Sequence, residues 1–309
     1  MELFSLLLKI RSEIECTQAE MVEKLSLHHK VFSNLDLITY SRWERGVSMP
    51  STLRIIHLLS FAQYDVIRYL VTLDLKLSIT KVNQMRRIEA IAYDQQDLIK
   101  TAFYPIPDAS FKHHCGSDPL TDMDKLQRIC DSSGLFFKLD HLAVRERCER
   151  SIILQEKHAL HILTCEGKDD SLYAHAMLSV HNLHEREQLR SEFRNFYNTP
   201  RDAQLNGDKV MFFHSVMKFN FKWWEFTCLY LIQVLCREPD IQEIFMIVRD
   251  KTAAKIYTSF GFKVEAKAEN EDMNPSGSRR KLISISRDDF LSHHGIIAWL
   301  KAHADLIES

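Results

Sequence analysis

Three groups of residues in this chain have the side-chain types and spacing that chemistry needs. The first is Thr39-Tyr40-Ser41-Arg42-Trp43-Glu44-Arg45-Gly46. At helical spacing Tyr40 and Trp43 face inward, while Thr39 and Arg42, with Leu37 and Ile38 ahead of them, face outward. An outward guanidinium can bond guanine in bidentate fashion, and threonine offers a hydroxyl or a methyl to a base edge. Arg45, Lys30 and Arg54 suit phosphate contacts, which position a module without reading sequence.

The second group is Lys218, Lys222, Trp223 and Trp224, with Tyr257 further on. The lysines would attract an anion, and tryptophan is favoured in ligand pockets and interfaces as well as in cores. A phenol such as that of Tyr257 can act as a general acid when a leaving group comes within hydrogen-bond reach, and it can equally serve to pack a helix onto a sheet. The third group is His113-His114-Cys115. Three adjacent residues cannot all face one ion without a distorted backbone, and no second half with ligand spacing follows, so no metal site is expected. His28-His29 and His293-His294 are expected to be surface pairs.

The first group needs a small helical scaffold, and the residues around it supply one. Thr17 caps a helix with Glu20 as its capping-box partner, and Met21, Val22 and Leu25 then share a face. Gly46 provides a left-handed helix stop, and Pro50 with Ser51 opens the next helix. With Leu7, Leu8 and Ile10 before it, and Leu53, Ile56, Leu58 and Leu59 after it, the segment makes a bundle of short amphipathic helices over residues 1–72.

Arg11, Thr17-Gln18, Leu25, Trp43-Glu44-Arg45-Gly46 and Pro50 together resemble the helix-turn-helix of the Cro and phage-repressor class, called XRE. The resemblance implies double-stranded DNA as partner, a homodimer on a palindromic operator, and DNA contacts at Thr17, Gln18, Lys30, Leu37, Ile38, Thr39, Arg42 and Arg45. The 19 positions from Leu25 to Glu44 exceed the family's usual spacing, so His28 to Leu35 reads as an insertion that either lengthens the second helix or forms a loop. Eight Lys and Arg balance eight Asp and Glu over residues 1–70. A strong nonspecific DNA binder would carry a basic excess, so affinity is expected to depend on charge placement and dimerisation.

At 309 residues the chain exceeds the usual size of a single core, and two domains are expected. Residues 73–121 read as a helical connector and loop, with helix to about residue 102 and a break at Phe103 to Asp108. From residue 122 to 309 strands alternate with helices. Leu160 to Cys165 and Leu172 to Val180 read as strands joined by a turn at 166–170, Lys209 to Val216 as a third and Ile244 to Val248 as a fourth. A helix follows with Ala253, Ile256, Tyr257 and Phe260 on one face, stopped at Gly261, and Lys281 to Ser286 is a last strand.

That order, and Ala253-Ala254-Lys255-Ile256-Tyr257-Thr258-Ser259-Phe260-Gly261-Phe262 above all, resembles the GNAT acetyltransferase fold. The fold class is therefore α plus mixed α/β: a helical bundle, a helical connector and a GNAT-like sheet domain. The resemblance implies acetyl-CoA or another acyl-CoA as cofactor and a catalytic role for Tyr257. The family holds the CoA pyrophosphate on a glycine-rich turn, yet no glycine occurs between Gly207 and Gly261 and Glu225 brings a carboxylate there.

The seven cysteines show no CxxC spacing and the chain start shows no export signal, so reduced thiols, no membrane partner and a cytoplasmic location are expected. The leading expectation is a transcriptional regulator whose GNAT-like domain is a sensor or oligomerisation module with a possible small-molecule ligand. The alternative is an active N-acetyltransferase carrying its own DNA-binding module.

Overall fold

A computed structural model describes residues 2–92, 109–133, 144–191, 193, 205–216, 221–248, 251–267 and 280–308. These divide into two compact units, Met1–Met85 with Asp288–Ser309, and Arg86–Arg287. The described residues carry the helical region and the mixed α/β sheet that the sequence implies. The expected helix from 93 to 102 and the break at 103–108 lie outside them.

The first unit opens with α1 (Leu3–Glu13), α2 (Gln18–His28), α3 (Leu37–Glu44), α4 (Thr52–Phe61), α5 (Val66–Thr72) and the start of α6 (Ile79–Ala92). Local signals set the ends of these helices. At α2, Thr17 accepts from the Glu20 amide at 3.3 Å, and Glu20 returns a bond to the Thr17 amide at 2.7 Å. Asp36 caps α3 through the Thr39 amide at 2.6 Å. Gly46, at φ +67°, ends α3 in the left-handed conformation that glycine adopts without strain. Leu6, Leu7, Ile10, Met21, Leu25 and Tyr40 make a fully buried core between the helices.

The segment from His29 to Asp36 is a loop and leaves α2 unextended. Lys30–Phe32 forms one 3-10 turn, and buried Phe32 and Leu35 anchor it. Two side-chain bonds hold its backbone: Ser26 donates to the Phe32 carbonyl and Arg54 to that of Val31, at 3.1 and 3.2 Å.

In the second unit the described residues form a seven-stranded sheet. Its strands are β1 (Ser110–His114), β2 (Leu160–Glu166), β3 (Leu172–Asn182), β4 (Lys209–Val216), β5 (Ile241–Val248), β6 (Lys263–Lys267) and β7 (Lys281–Ser286), in the order β1-β2-β3-β4-β5-β7-β6. Every neighbouring pair is antiparallel except β4 and β5. A parallel pair needs a crossover, which helix Phe221–Arg237 provides.

The helices of this unit are α7 (Met123–Ser133), α8 (Val144–Glu156), α9 (Arg186–Ser191), α10 (Phe221–Arg237) and α11 (Lys251–Phe260). Leu126, Ile129 and Cys148 of α7 and α8 pack on Ile162 and Met177 from one sheet face, and Leu189 of α9 packs on Phe212 and Phe245. Trp223 and Tyr230 of α10 meet Phe111 and His161 on the other.

Buried Glu166 ties β1, β2 and α7 together. It accepts from Lys112 at 2.8 Å, Thr164 at 2.8 Å and Lys125 at 3.1 Å. Burial alone would push this carboxyl up, but the bonds from Lys112, Thr164 and Lys125 outweigh it and hold the group at about 2.

The C-terminal segment, placed with the sheet domain by the 122–309 boundary, clusters instead with the first unit. Its helices are α12 (Arg287–Leu291), α13 (His294–Ala302) and α14 (Asp305–Glu308). His57 Nε2 bonds Asp288 Oδ1 at 3.0 Å, the Ser78 amide donates to His294 Nδ1 at 2.9 Å, and Lys301 donates to the Leu73 carbonyl. Gly295 sits so close to α6 that a Cβ would come within 2.6 Å of the Lys81 carbonyl oxygen. His293, expected on the surface, is buried as the cap of α13.

A carboxyl held below its ordinary value of 4.5 stabilises the fold fully above that pH, and the contribution is lost as pH falls toward 2. Urea unfolding of the wild-type chain and of Glu166→Gln should therefore differ by a constant amount from pH 5 to 7 and converge between pH 4 and 2. A gap that stays unchanged down to pH 2 would show that the ionised carboxylate is not what holds β1 and α7.

Candidate functional site

The geometry of the first unit turns on Glu44, a carboxylate buried to 3% exposure at the end of α3. Arg11 of α1 grips it with two bonds, Nε to Oε1 at 2.6 Å and Nη2 to Oε2 at 3.2 Å. Gln18 of α2 adds a third, Nε2 to Oε2 at 2.6 Å. Arg11 Nη1 also donates to the Cys16 carbonyl at 3.2 Å, holding the turn between α1 and α2. Three helices thus meet on one carboxylate.

That clamp fixes which way α3 faces. Tyr40 and Trp43 point inward with 0% and 3% exposure, while Leu37, Ile38 and Arg42 lie exposed on the opposite side and Thr39 is half-buried. Val47 and Met49, just past the helix, extend the exposed surface. Of the expected DNA-facing residues, Thr17, Lys30, Leu37, Ile38, Arg42 and Arg45 are exposed. Gln18 is half-buried, and its side-chain amide donates to Glu44. Arg54 has its guanidinium 5.5 Å over the Trp43 ring and bonds the Val31 carbonyl, so it braces the loop.

In the second unit the described members of the expected ligand set stand in different environments. Lys218 lies outside the described residues. Lys222 is exposed in the first turn of α10, Trp224 is half-buried, and Trp223 is core at 1% exposure between Phe111 and Phe226, each 5.9 Å away. Tyr257 sits where α11 turns into β6 through Gly261, with the Gly261 and Phe262 amides both donating to its carbonyl. Burial, with the Cys228 thiol of α10 nearby, pushes its phenol up to about 12. It holds its proton at neutral pH, as a general acid must.

Strand alternation separates the adjacent residues His113, His114 and Cys115. His114 turns to Thr164 at 3.1 Å, while His113 and Cys115 share the opposite face with His161 of β2. This third partner has no local signal among the residues, because the β1–β2 register that pairs His114 with Ile162 is a long-range fact.

No family model and no curated protein matches the chain. Among solved structures, an N-acetyltransferase from Staphylococcus aureus Mu50 is similar at 11% identity and TM-score 0.32, covering 58% of this chain and 97% of its own. Spermidine N-acetyltransferase from Vibrio cholerae in complex with CoA and spermine is similar at 11% identity and TM-score 0.34, covering 60% and 99%. Arabidopsis thaliana NAA60 in complex with acetyl-CoA is similar at 9% and 0.35, covering 58% and 99%. Over the described residues the second unit is a mixed α/β sheet domain whose strand order, with β4 and β5 as its parallel pair, agrees with the expected GNAT-like frame. Among the described residues no helix is long and apolar enough to cross a membrane.

Truncating Glu44 would leave the Arg11 guanidinium and the Gln18 amide without their acceptor. Breaking a buried pair costs several kcal/mol, and because Arg11 keeps 26% side-chain exposure the lower end applies. Glu44→Ala should destabilise the full chain by about 3 kcal/mol in denaturant unfolding. Exposed Arg42→Ala should stay within about 0.5 kcal/mol of wild type. Equal stability of the two variants would remove the clamp from its structural role.

Proposed function

We propose that the first unit binds double-stranded DNA as an XRE-type helix-turn-helix, with α3 in the major groove, and that the chain is a sequence-specific transcriptional regulator. The observation that carries this reading is the Arg11–Gln18–Glu44 clamp. It fixes α3 against α1 and α2 while leaving Leu37, Ile38 and Arg42 exposed on its outer side. Arg42 reads a base edge, Leu37 and Ile38 offer apolar contact to thymine methyls, and Arg45 and Lys30 meet phosphates. A module without basic excess depends on two copies at two half-sites, hence a homodimer on a palindromic operator. The GNAT-like unit serves as its sensor or oligomerisation module.

The strand order favours a second reading at least as strongly: a GNAT-type N-acetyltransferase that uses acetyl-CoA and carries its own DNA-binding unit. Tyr257, protonated at neutral pH beside the end of α11, would be the general acid toward the leaving thiolate, and Lys222 a cation toward the cofactor's phosphates. Against it stand the glycine-free stretch after β4 and the carboxylate of Glu225.

The DNA reading predicts that Arg42→Ala weakens binding to the operator, found by a genome-wide footprint, by about 1 to 3 kcal/mol. Lys30→Ala should weaken all sequences alike and lower the salt slope by about one. A salt-controlled shift assay in which Arg42→Ala keeps full operator affinity would reject this placement of α3. Calorimetric titration of the full chain with acetyl-CoA decides the second reading. Saturable micromolar binding with thioester turnover abolished by Tyr257→Phe would make the protein an enzyme, and no heat at all would remove that reading.

A further inference from the structure

Among the described residues two clusters bring three metal-ligand side chains together: His29, His57 and Asp288 in the first unit, and His113, Cys115 and His161 in the second. The first fails on geometry. An imidazole coordinates along a lone pair lying in its own ring plane. His29 and His57 are stacked face to face, with centroids 3.6 Å and planes 11° apart, so their lone pairs lie in parallel planes and do not meet.

The second cluster has a demonstrated point of convergence. The Tyr230 hydroxyl of α10 bonds His161 Nδ1 at 2.7 Å and also His113 Nε2, so both ring nitrogens aim at one place. Their ring centres stand 5.7 Å apart and their planes 18° apart, an offset wide enough for both rings to reach one point from either side. Two imidazoles that reach one ion from either side, each through a bond of about 2 Å, stand about 6 Å apart. A ligand nitrogen from each ring and the Cys115 sulfur lie within 4.8 Å of one another.

The two hydroxyl bonds also fix how the ring protons are placed. One hydroxyl between two imidazoles can donate to only one of them, so the other must present N–H. His161 Nε2 is buried and has no hydrogen-bond partner, although the residue is only 3% exposed.

We propose that His113, Cys115 and His161 bind a divalent transition metal of the class that prefers nitrogen and sulfur ligands, Zn2+ foremost, with the Tyr230 oxygen beside the open fourth position. Two ligands come from the edge strand β1 or the residue after it, and the third from β2. Tyr230 lies on α10, so the ion would pin the sheet edge beside that helix. Cys115 is half-buried and β1 is an edge strand, so an ion can enter. On binding, a metal–sulfur bond replaces the Cys115 S–H bond and the thiol proton leaves to solvent. The imidazoles stay neutral, their remaining proton resting on the nitrogen turned away from the ion.

The test is titration of the metal-free full chain with Co2+ and with Zn2+. The expected result is one saturable site per chain, a thiolate-to-Co2+ absorption band in the near ultraviolet, and release of one proton per Zn2+, read by calorimetry in buffers of different ionisation enthalpy. Cys115→Ser should lose the band, and both it and His113→Gln should weaken binding by at least about 100-fold, since even outer-shell partners of a metal contribute 10- to 100-fold. His29→Gln should bind as wild type does. No saturable binding by the wild-type chain, a band that persists in Cys115→Ser, or loss of the site in His29→Gln would each overturn the proposal.

Discussion

A buried carboxylate has to find hydrogen-bond donors, and in each unit of this chain the donors come from elements far apart in sequence. Glu44 collects Arg11 and Gln18; Glu166 collects Lys112 and Lys125. Left unpaired, either charge would cost several kcal/mol, a large share of the stability of an ordinary domain. The requirement therefore selects the arrangement in which the donors arrive. In the first unit that fixes α1, α2 and α3 against one another and decides which side of α3 meets solvent. In the second it locks the edge strand β1 and helix α7 onto the end of β2.

What the sequence revealed and what it hid follow the same division between local and distant causes. The capping box at Thr17, the stop at Gly46 and the inward Tyr40 and Trp43 are set by residues within one helical turn, and the structure has them as expected. Strands β2 to β5 and β7 were legible because their apolar runs are bounded by turn residues. Strand β1 was missed because Ser110–His114 carries lysine and histidine, the composition of a loop, and becomes a strand only through its pairing with β2. The C-terminal helices could not be assigned to the first unit, since bonds such as Ser78 to His294 span more than two hundred residues. The use of Gln18 and Arg54 as scaffold was hidden for the same reason: a polar side chain shows its type in the sequence, and its partner only in the fold.

The second unit has the strand order expected of a GNAT-like sheet, with unexpected material at the expected cofactor position. The parallel β4–β5 pair, the crossover helix α10 and the Tyr257 helix all stand where the resemblance puts them. Phosphate binding of the usual kind depends on small residues that let backbone amides and a helix start approach an anion closely. At the start of α10 this chain has Trp223, and that side chain fills the core against Phe111 and Phe226. Trp223 thus packs toward β1, while Lys222 beside it is an exposed cation among the described residues of that turn.

These features have a common physical direction. Along one face of β1 the chain places Phe111, His113 and Cys115, and along α10 it places Trp223, Phe226 and Tyr230, so the helix meets the edge strand first through stacked aromatics and then through a hydroxyl between two imidazoles. The apolar end of that contact stabilises by burial, and the polar end can do so only while every nitrogen and oxygen in it has a partner. His161 Nε2 lacks one. An unpaired buried nitrogen makes that end weaker than its bonds alone imply, so the stacked aromatics Phe111, Trp223 and Phe226 carry correspondingly more of the contact.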